Sequence, residues 1–423
     1  MLHPVTLLLT LFLGFLAFLL LSLRYVYVHN RTLYESIQRR NKVWTICPNC
    51  GNLVWLQTFL CPACKTENVL NPNMDADFNV HLAQTCSKCA HVLPVAHFWG
   101  REQLTAVCPE CRKSIGEQAG IYHELVIPII GSRSTGKSAY LSALLFSLLK
   151  RYGSAVKFPF PGTADYAMSA YKRYAAGHLP EQTPKSIPNG LVVDWENNSE
   201  TRLEIPGLRI LFYDAGGEIY NEEKSMGDLK YLDFMDGLML IVDPFTFHEV
   251  RRKYADQLAN QPVFQAGEYP LEDTVARIRN GFGKYRYKDY DYENLNGKRT
   301  HPYLGTSDRE VHFCRCAVVI TKTDMFDLDS QIGSAAVQER LRKHPNLSAD
   351  EALNQICGEK LREWGLGNEL KILDELFREV RYFSVSALGH LPEPSKQFEP
   401  HRVELPLQWL LKQCKQCGCD FWN

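Results

Sequence analysis

Hydrophobic and polar positions divide the chain into stretches of different texture. Residues 5–23 read VTLLLTLFLGFLAFLLLSL, with only Thr6, Thr10 and Ser22 even mildly polar. A helix of that length spans about 28 Å, close to a bilayer core of roughly 30 Å. No polar residue recurs at the spacing of a buried amphipathic helix. Only His3 precedes the run and no small-residue cleavage site follows it, which argues against a cleaved signal peptide. The pattern therefore predicts a membrane-spanning helix inside an anchor over residues 1–28. From residue 124 short apolar runs alternate with helical periodicity, the texture of an α/β domain. Strands are predicted over 125–130, 191–195, 208–213, 317–320 and 380–385, with 191–195 folding as a hairpin onto 208–213. Helical patterns cover 139–152, 164–177, 349–379 and 405–412.

Charge adds an orientation. The first 23 residues hold no Lys, Arg, Asp or Glu, whereas Arg24, Arg31, Arg39, Arg40 and Lys42 follow against a single Glu35. The positive-inside rule then places residues 29–45, a basic linker, and everything after them in the cytoplasm, with the N-terminus outside. Across all 423 residues, 47 Lys and Arg against 48 Asp and Glu leave a net charge of −1, which argues against nucleic acid as the partner. At 45% apolar and 22% charged, the composition excludes wholesale disorder.

Of the 14 cysteines, eight fall between Cys47 and Cys111 as four CxxC pairs. In a reducing compartment such pairs point to metal rather than disulfides. Cys47, Cys50, Cys61 and Cys64 enclose ten residues, and Cys86, Cys89, Cys108 and Cys111 enclose eighteen. Read in order, they predict two zinc ribbons over about 46–70 and 84–116 within a 46–118 module, each holding one Zn²⁺ with four thiolates. Trp44, Trp55, Phe59, Phe98 and Trp99 suit a miniature core. With no basic stripe among them, the ribbons are expected to contact protein or to act as spacers.

The run 125–130 leads into Gly131-Ser132-Arg133-Ser134-Thr135-Gly136-Lys137-Ser138, followed by a helix that begins at Ala139. Strand, GxxxxGKS loop and helix in that order make a phosphate cradle: backbone N–H groups at a helix N-terminus, Lys137 on the β/γ oxygens and Ser138 on Mg²⁺. The strand 208–213 ends in Asp214-Ala215-Gly216-Gly217-Glu218, where Asp214 suits a Mg²⁺ partner and Gly217 leaves its N–H free for a γ-phosphate. The strand 317–320 ends in Thr321-Lys322-Thr323-Asp324. Asp324 can accept both hydrogen bonds of a guanine N1/N2 edge, which adenine does not offer, and Lys322 can lie over the base. The strand 380–385 ends at Ser386-Ala387, whose backbone N–H can meet the guanine O6.

GxxxxGKS, DxxG, TKxD and SA in this order resemble the translation-factor-related (TRAFAC) class of P-loop GTPases over residues 122–415. Within that class the chain looks most similar to prokaryotic double-GTPase proteins of conflict or signalling systems, and the cysteine module resembles the double zinc ribbons beside prokaryotic signalling domains. The resemblance implies a P-loop α/β fold with a mostly parallel sheet and helices on both faces. It also implies GTP and GDP as ligands with Mg²⁺, and hydrolysis to GDP and phosphate. It places a switch threonine before the second strand; Thr163, Thr183 and Thr201 are candidates, and Thr183 fits best. Two departures stand out. Glu218 occupies the place of the Gln that orients the attacking water, which points to slow or partner-stimulated turnover. Arg133 replaces a loop glycine.

An insertion over about 245–312 is too long for a plain loop. Its Tyr- and charge-rich stretch 284–292 is a second candidate protein contact. Cys414, just before a tail over 416–423, and Cys417 and Cys419 within it have no obvious fourth metal ligand. The expectation is a membrane-anchored cytoplasmic GTPase switch. The alternatives are a scaffold that binds GTP without turning it over and a tethered nucleic-acid-binding zinc protein.

Overall fold

The computed structural model describes residues 12–23, 25, 45–54, 58–70, 83–94, 100, 103–116, 119, 122–179, 190–196, 207–214, 231–232, 235–260, 267, 270–284, 314–391 and 396–412. Thr183, Thr201, Gly217, Glu218, residues 285–292 and Cys414, Cys417 and Cys419 lie outside them.

The N-terminal apolar run departs from expectation. Helix α1 is described over residues 12–23. Among the described residues no helix is long and apolar enough to cross a membrane. The expected spanning helix, and the single-pass membrane placement built on it, are corrected accordingly.

A small cysteine-rich module follows. Its strands are β1 (Thr45–Ile46), β2 (Leu53–Val54), β3 (Thr58–Leu60), β4 (Glu67–Val69), β5 (Ala83–Thr85), β6 (Val92–Pro94), β7 (Ala106–Val107) and β8 (Ser114–Gly116). β4, β3, β7 and β8 form one sheet in that order, so the first and last thirds of the module meet through β3 and β7.

The α/β domain is built on a seven-stranded sheet, ordered β10-β11-β12-β9-β13-β14-β15. β9 (His123–Ile130) is its middle. Beyond it run β13 (Gly237–Val242), β14 (Arg315–Ile320) and β15 (Glu379–Ser384); on the other side lie β12 (Gly207–Asp214), β11 (Gly190–Glu196) and β10 (Val156–Lys157). β12, β9, β13, β14 and β15 are mutually parallel. β11 runs antiparallel to β12, with Gly190 opposite Tyr213 and Glu196 opposite Gly207, and β10 runs antiparallel to β11. The sheet is therefore mixed, not mostly parallel as expected. Only ten residues, 197–206, join β11 to β12; a parallel return needs a crossover of about a dozen or more. The near-continuous apolar sequences of β9, β13 and β14 match strands covered on both faces.

Helix α2 (Lys137–Tyr152) leaves the phosphate loop and buries Tyr140, Leu141, Leu144, Leu145 and Leu148. α3 (Pro161–Ala175) starts with Pro at its first turn, where no N–H is needed. It packs on α2 through Phe146–Tyr174 ring contact at 5.4 Å and a Ser142–Tyr166 hydroxyl bond of 2.9 Å. Thr163 is fully buried inside α3, so it is a packing residue and not the switch threonine.

The module is pinned to the sheet along residues 45–51. Glu124 accepts from the Ile46 N–H at 2.9 Å and the Thr45 hydroxyl at 3.2 Å. Asp194 takes the nearby Arg209 guanidinium with two bonds of 2.6 and 2.7 Å. Burial pushes the Glu124 carboxyl up to about 7, although Arg209 and the Ile46 N–H pull it the other way. Farther along, the Tyr213 hydroxyl donates to the Cys47 carbonyl at 3.1 Å, and the Gly190 N–H donates to the Pro48 carbonyl at 3.0 Å. Tyr213 stacks on Tyr231 at 4.1 Å, and a Cβ on Gly51 would come within 3.2 Å of the Tyr231 nitrogen. Ile46 thus belongs to the main core and Cys47 to the small one.

Candidate functional site

The four CxxC pairs adopt one local geometry. In each, the first cysteine's N–H bonds a carbonyl five residues on, and its own carbonyl accepts from the residue four on: Cys47 with Asn52 and Gly51, Cys61 with Thr66 and Lys65, Cys86 with His91 and Ala90, Cys108 with Lys113 and Arg112. The residue after each second cysteine takes a left-handed backbone, with φ of 70° at Gly51, 58° at Lys65 and 55° at Ala90 and Arg112. Three non-glycine residues accept that cost, which turns both thiols of each pair to the same side.

The pairs do not combine in sequence order. Cys47 and Cys50 meet Cys108 and Cys111, while Cys61 and Cys64 meet Cys86 and Cys89. The arrangement is nested, so the two sequential ribbons expected at 46–70 and 84–116 are replaced by an inner and an outer cluster. The order β4-β3-β7-β8 is the cause: β7 pairs beside β3 through Phe59 and Ala106, which carries the last knuckle back to the first.

Sulfur separations are 3.6 Å for Cys47–Cys111, 3.7 Å for Cys50–Cys108, 3.6 Å for Cys61–Cys89 and 3.5 Å for Cys64–Cys86. A disulfide would need about 2.05 Å. The edge of a ZnS₄ tetrahedron with bonds of about 2.3 Å is roughly 3.8 Å. The donor set therefore fits a tetrahedral thiophilic ion. N–H groups of Cys89 and Lys88 hold the Cys86 thiol down to about 6, whereas burial pushes Cys47 well up.

The candidate nucleotide site is assembled at the C-terminal ends of the parallel strands. Gly131 is required sterically, because a Cβ there would lie 2.8 Å from the Ile241 carbonyl oxygen and 2.9 Å from Thr135 Oγ1. Gly136, at φ 93°, caps α2. The Lys137 ammonium is buried and donates to the Gly131 and Ser132 carbonyls at 2.7 Å each, curling the loop around its charge. Thr135 Oγ1 braces the Ser132 carbonyl at 2.8 Å, and Arg133 is exposed. Ser138 and Ala139 lie in the first turn of α2, where N–H groups lack intrahelical partners.

The TKTD segment closes over this loop. Thr321 Oγ1 donates to the Thr135 carbonyl at 2.8 Å, and Lys322 Nζ donates to the Ser134 carbonyl at 3.1 Å. Ser386 Oγ donates to Asp324 Oδ1 at 2.7 Å and itself accepts from the Gly389 N–H at 2.7 Å. Burial raises the Asp324 carboxyl above its ordinary range, partly offset by Ser386. Ala387 is buried next to Ser386. The structure thus brings together Gly131–Ser138, Thr321, Lys322, Asp324, Ser386 and Ala387. Asp214 ends β12 opposite Ile129, one residue before the phosphate-loop strand ends. Thr183, Gly217 and Glu218 are outside the described residues.

Sequence reasoning missed Asp243. It follows β13 (Gly237–Val242) and precedes Pro244, and a single acid after an apolar strand belongs to no motif. Its fully buried carboxylate sits 2.7 Å from Lys322 Nζ.

No protein-family model matches the chain, and no curated protein matches it significantly. Among solved structures, the chain is similar to the Arl6 BBS3 small GTPase of Trypanosoma brucei with a bound nucleotide analogue, at 11% identity and TM-score 0.27, covering 69% of this chain and 98% of that one. It is similar to the GTP-bound Ski7 GTPase-like domain of S. cerevisiae at 14% identity and TM-score 0.32, covering 69% and 50%. A GTP-binding protein of Sulfolobus solfataricus in complex with GDP matches at 14% identity and TM-score 0.25, covering 68% and 53%. This chain spans about half the length of the last two. Likeness of this size carries no weight for function; the site geometry does.

Proposed function

We propose that the chain is a GTP-binding P-loop protein that hydrolyses GTP to GDP and phosphate, with a cysteine module that binds two zinc ions and docks a protein partner. The observation that supports guanine is the bracing of Asp324 by Ser386, beside a Lys322 held against the phosphate loop. Adenine offers a carboxylate one donor, its N6 amine, beside the N1 acceptor, whereas guanine offers the paired N1–H and N2–H donors that both carboxylate oxygens can accept.

In this reading Lys137 neutralises the β- and γ-phosphates, and the N–H groups of 133–138 cradle them. Ser138, Thr183 and Asp214 are the residues that would hold Mg²⁺, whose bound charge offsets that of the phosphates. Gly217 meets the γ-phosphate through its N–H. Glu218 stands where a water-orienting residue is needed, and its negative charge favours slow turnover. Lys322 covers the base, Asp324 reads N1 and N2, and Ala387 meets O6 through its N–H. Zinc in the two clusters would supply folding free energy to a module with a small core. The inserted segment after β13 is a second proposed contact for a protein partner.

Calorimetry with GTP, GDP, ATP and XTP tests the assignment. Guanine nucleotides are expected to bind at least about 100-fold tighter than ATP, the discrimination given by a site whose buried polar groups go unpaired with the wrong ligand. Asp324→Asn is expected to move the preference towards XTP, because the amide can donate to the xanthine C2 oxygen. Equal GTP and ATP affinity would refute the reading. Glu218 favours a second reading, a GTP-binding scaffold with little turnover. Phosphate release that stays at background while GTP binds tightly, with Glu218→Gln raising it, would select that reading.

A further inference from the structure

Asp243 is the point at which four segments of the chain meet. Its Oδ1 accepts from the Phe245 N–H at 2.9 Å, and its Oδ2 accepts from the Gly267 N–H at 2.9 Å and from Lys322 Nζ at 2.7 Å. The carboxylate has no exposed surface, whereas the Lys322 side chain keeps 19% of its own. Lys322 Nζ also reaches the Ser134 carbonyl of the phosphate loop, so one ammonium bridges that loop and the end of β13. The Thr246 hydroxyl returns to the Asp243 carbonyl at 2.7 Å.

Gly267 is seated tightly in the same place. A Cβ on it would lie 2.6 Å from Thr246 Cγ2, 3.1 Å from Thr135 Cγ2 and 3.2 Å from Ser132 Oγ. Gly267 belongs to the segment inserted between β13 and β14, and its N–H ties a part of that segment 24 residues beyond Asp243 to the carboxylate. The Ser132 and Thr135 side chains it presses on belong to the phosphate loop. A lysine stem is loose unless its ammonium is held, since each of its torsions is otherwise free. A buried carboxylate, in turn, needs a partner charge.

We infer that Asp243 is a positioning residue for the nucleotide: it fixes Lys322 against the phosphate loop as one wall of the base pocket, and through the Gly267 N–H it makes that wall depend on the seating of the inserted segment. The inference rests on the guanine reading of the site above. It gives the insertion a physical route to nucleotide affinity: whatever lifts Gly267 removes one of the bonds that hold the carboxylate, and so loosens Lys322.

A double-mutant cycle on the full chain tests this. GTP and GDP affinities are measured by calorimetry for wild type, Asp243→Asn, Lys322→Met and the double variant, with thermal melts in the absence of nucleotide. Asp243→Asn is expected to weaken GTP and GDP alike by about tenfold, the coupling typical of contacting residues, with their ratio unchanged. The double variant is expected to bind no more weakly than Lys322→Met alone, and to melt higher than it, because no unpaired carboxylate is left buried. Gly267→Ala is expected to weaken both nucleotides several-fold, and that loss should shrink in the Lys322→Met background to the part that comes from the new Cβ pressing on Ser132 and Thr135. Should Asp243→Asn fail to fold, the Gly267–Lys322 cycle gives the same answer with the carboxylate in place. Losses that add in either cycle mean a strut for the fold and overturn the inference, as does wild-type affinity in Asp243→Asn. Wild-type protein that binds no guanine nucleotide would instead sink the reading of the whole site.

Discussion

Lys137→Ala is expected to abolish measurable binding of GTP and GDP. The ammonium is buried and held by two carbonyls of the loop it is meant to serve, Gly131 and Ser132. It is therefore already in position before a ligand arrives, and binding wastes little entropy on ordering it. Removing one partner of a buried, hydrogen-bonded charge pair costs about 2–5 kcal/mol, or roughly one and a half to nearly four powers of ten in affinity. The phosphates would then face N–H groups alone. Fluorescence titration with a labelled GTP reads the loss directly. A melt of the nucleotide-free variant separates lost binding from lost fold. Lys137 lies on the first turn of a helix whose other buried residues pack independently of it, so the domain is expected to stay folded. Retention of GTP affinity within a few-fold of wild type would mean that the loop does not hold phosphate.

The gathering of the proposed nucleotide-site residues was legible in the sequence because each of the motifs sits at the end of a strand and is local. GxxxxGKS, TKTD and SA each occupy consecutive residues, and a parallel sheet places all strand ends of one direction on one side. Knowing the strands was then enough to bring Lys137, Lys322 and Asp324 together. The β11–β12 hairpin was legible from its short connection, and it is the same feature that makes the sheet mixed. Asp243 was not legible. Its partners are 79 residues away at Lys322 and 24 residues away at Gly267, and a single acid after an apolar strand has no motif. The apolar run at residues 5–23 misled in another way. Hydropathy weighs composition alone, and among the described residues no helix is long and apolar enough to cross a membrane.

The pairing of the cysteines was the other non-local feature. Spacing shows that each CxxC is a knuckle, since knuckle geometry is settled by five or six consecutive residues. It does not show which knuckles share an ion, because that depends on which strands pair. Sequential pairing assumed the shortest loops; the β3–β7 pairing overrules it. The consequence is that the outer cluster, through Cys47, is tied to the α/β domain by the bonds of Tyr213 and Gly190. The inner cluster is tied within its own module, by Asn68 to Cys86 and Ser87.

Nested pairing makes metal content a sharp test. Wild-type protein is expected to carry two zinc ions. Cys47→Ser with Cys108→Ser strikes one cluster twice and is expected to leave one ion; Cys47→Ser with Cys61→Ser strikes both clusters and is expected to leave none. Sequential ribbons would give the opposite pair of results, so elemental analysis of two double variants decides the topology. Stability should divide along the same line. Among the described residues the module's own core has eleven buried members, four of them cysteines, too few to fold it unaided. Structural zinc supplies an apparent 10–16 kcal/mol, roughly, in peptide-sized folds, so losing either ion should unfold the strands around it. Cys61→Ser is expected to do so while sparing the α/β domain. Cys108→Ser is expected to lower that domain's melting temperature as well, by about 2–4 °C per kcal/mol lost, because the unfolded knuckle no longer covers Tyr213 and Gly190. Equal melting of the α/β domain in the two variants would mean that residues 45–51 rest on the sheet without supporting it.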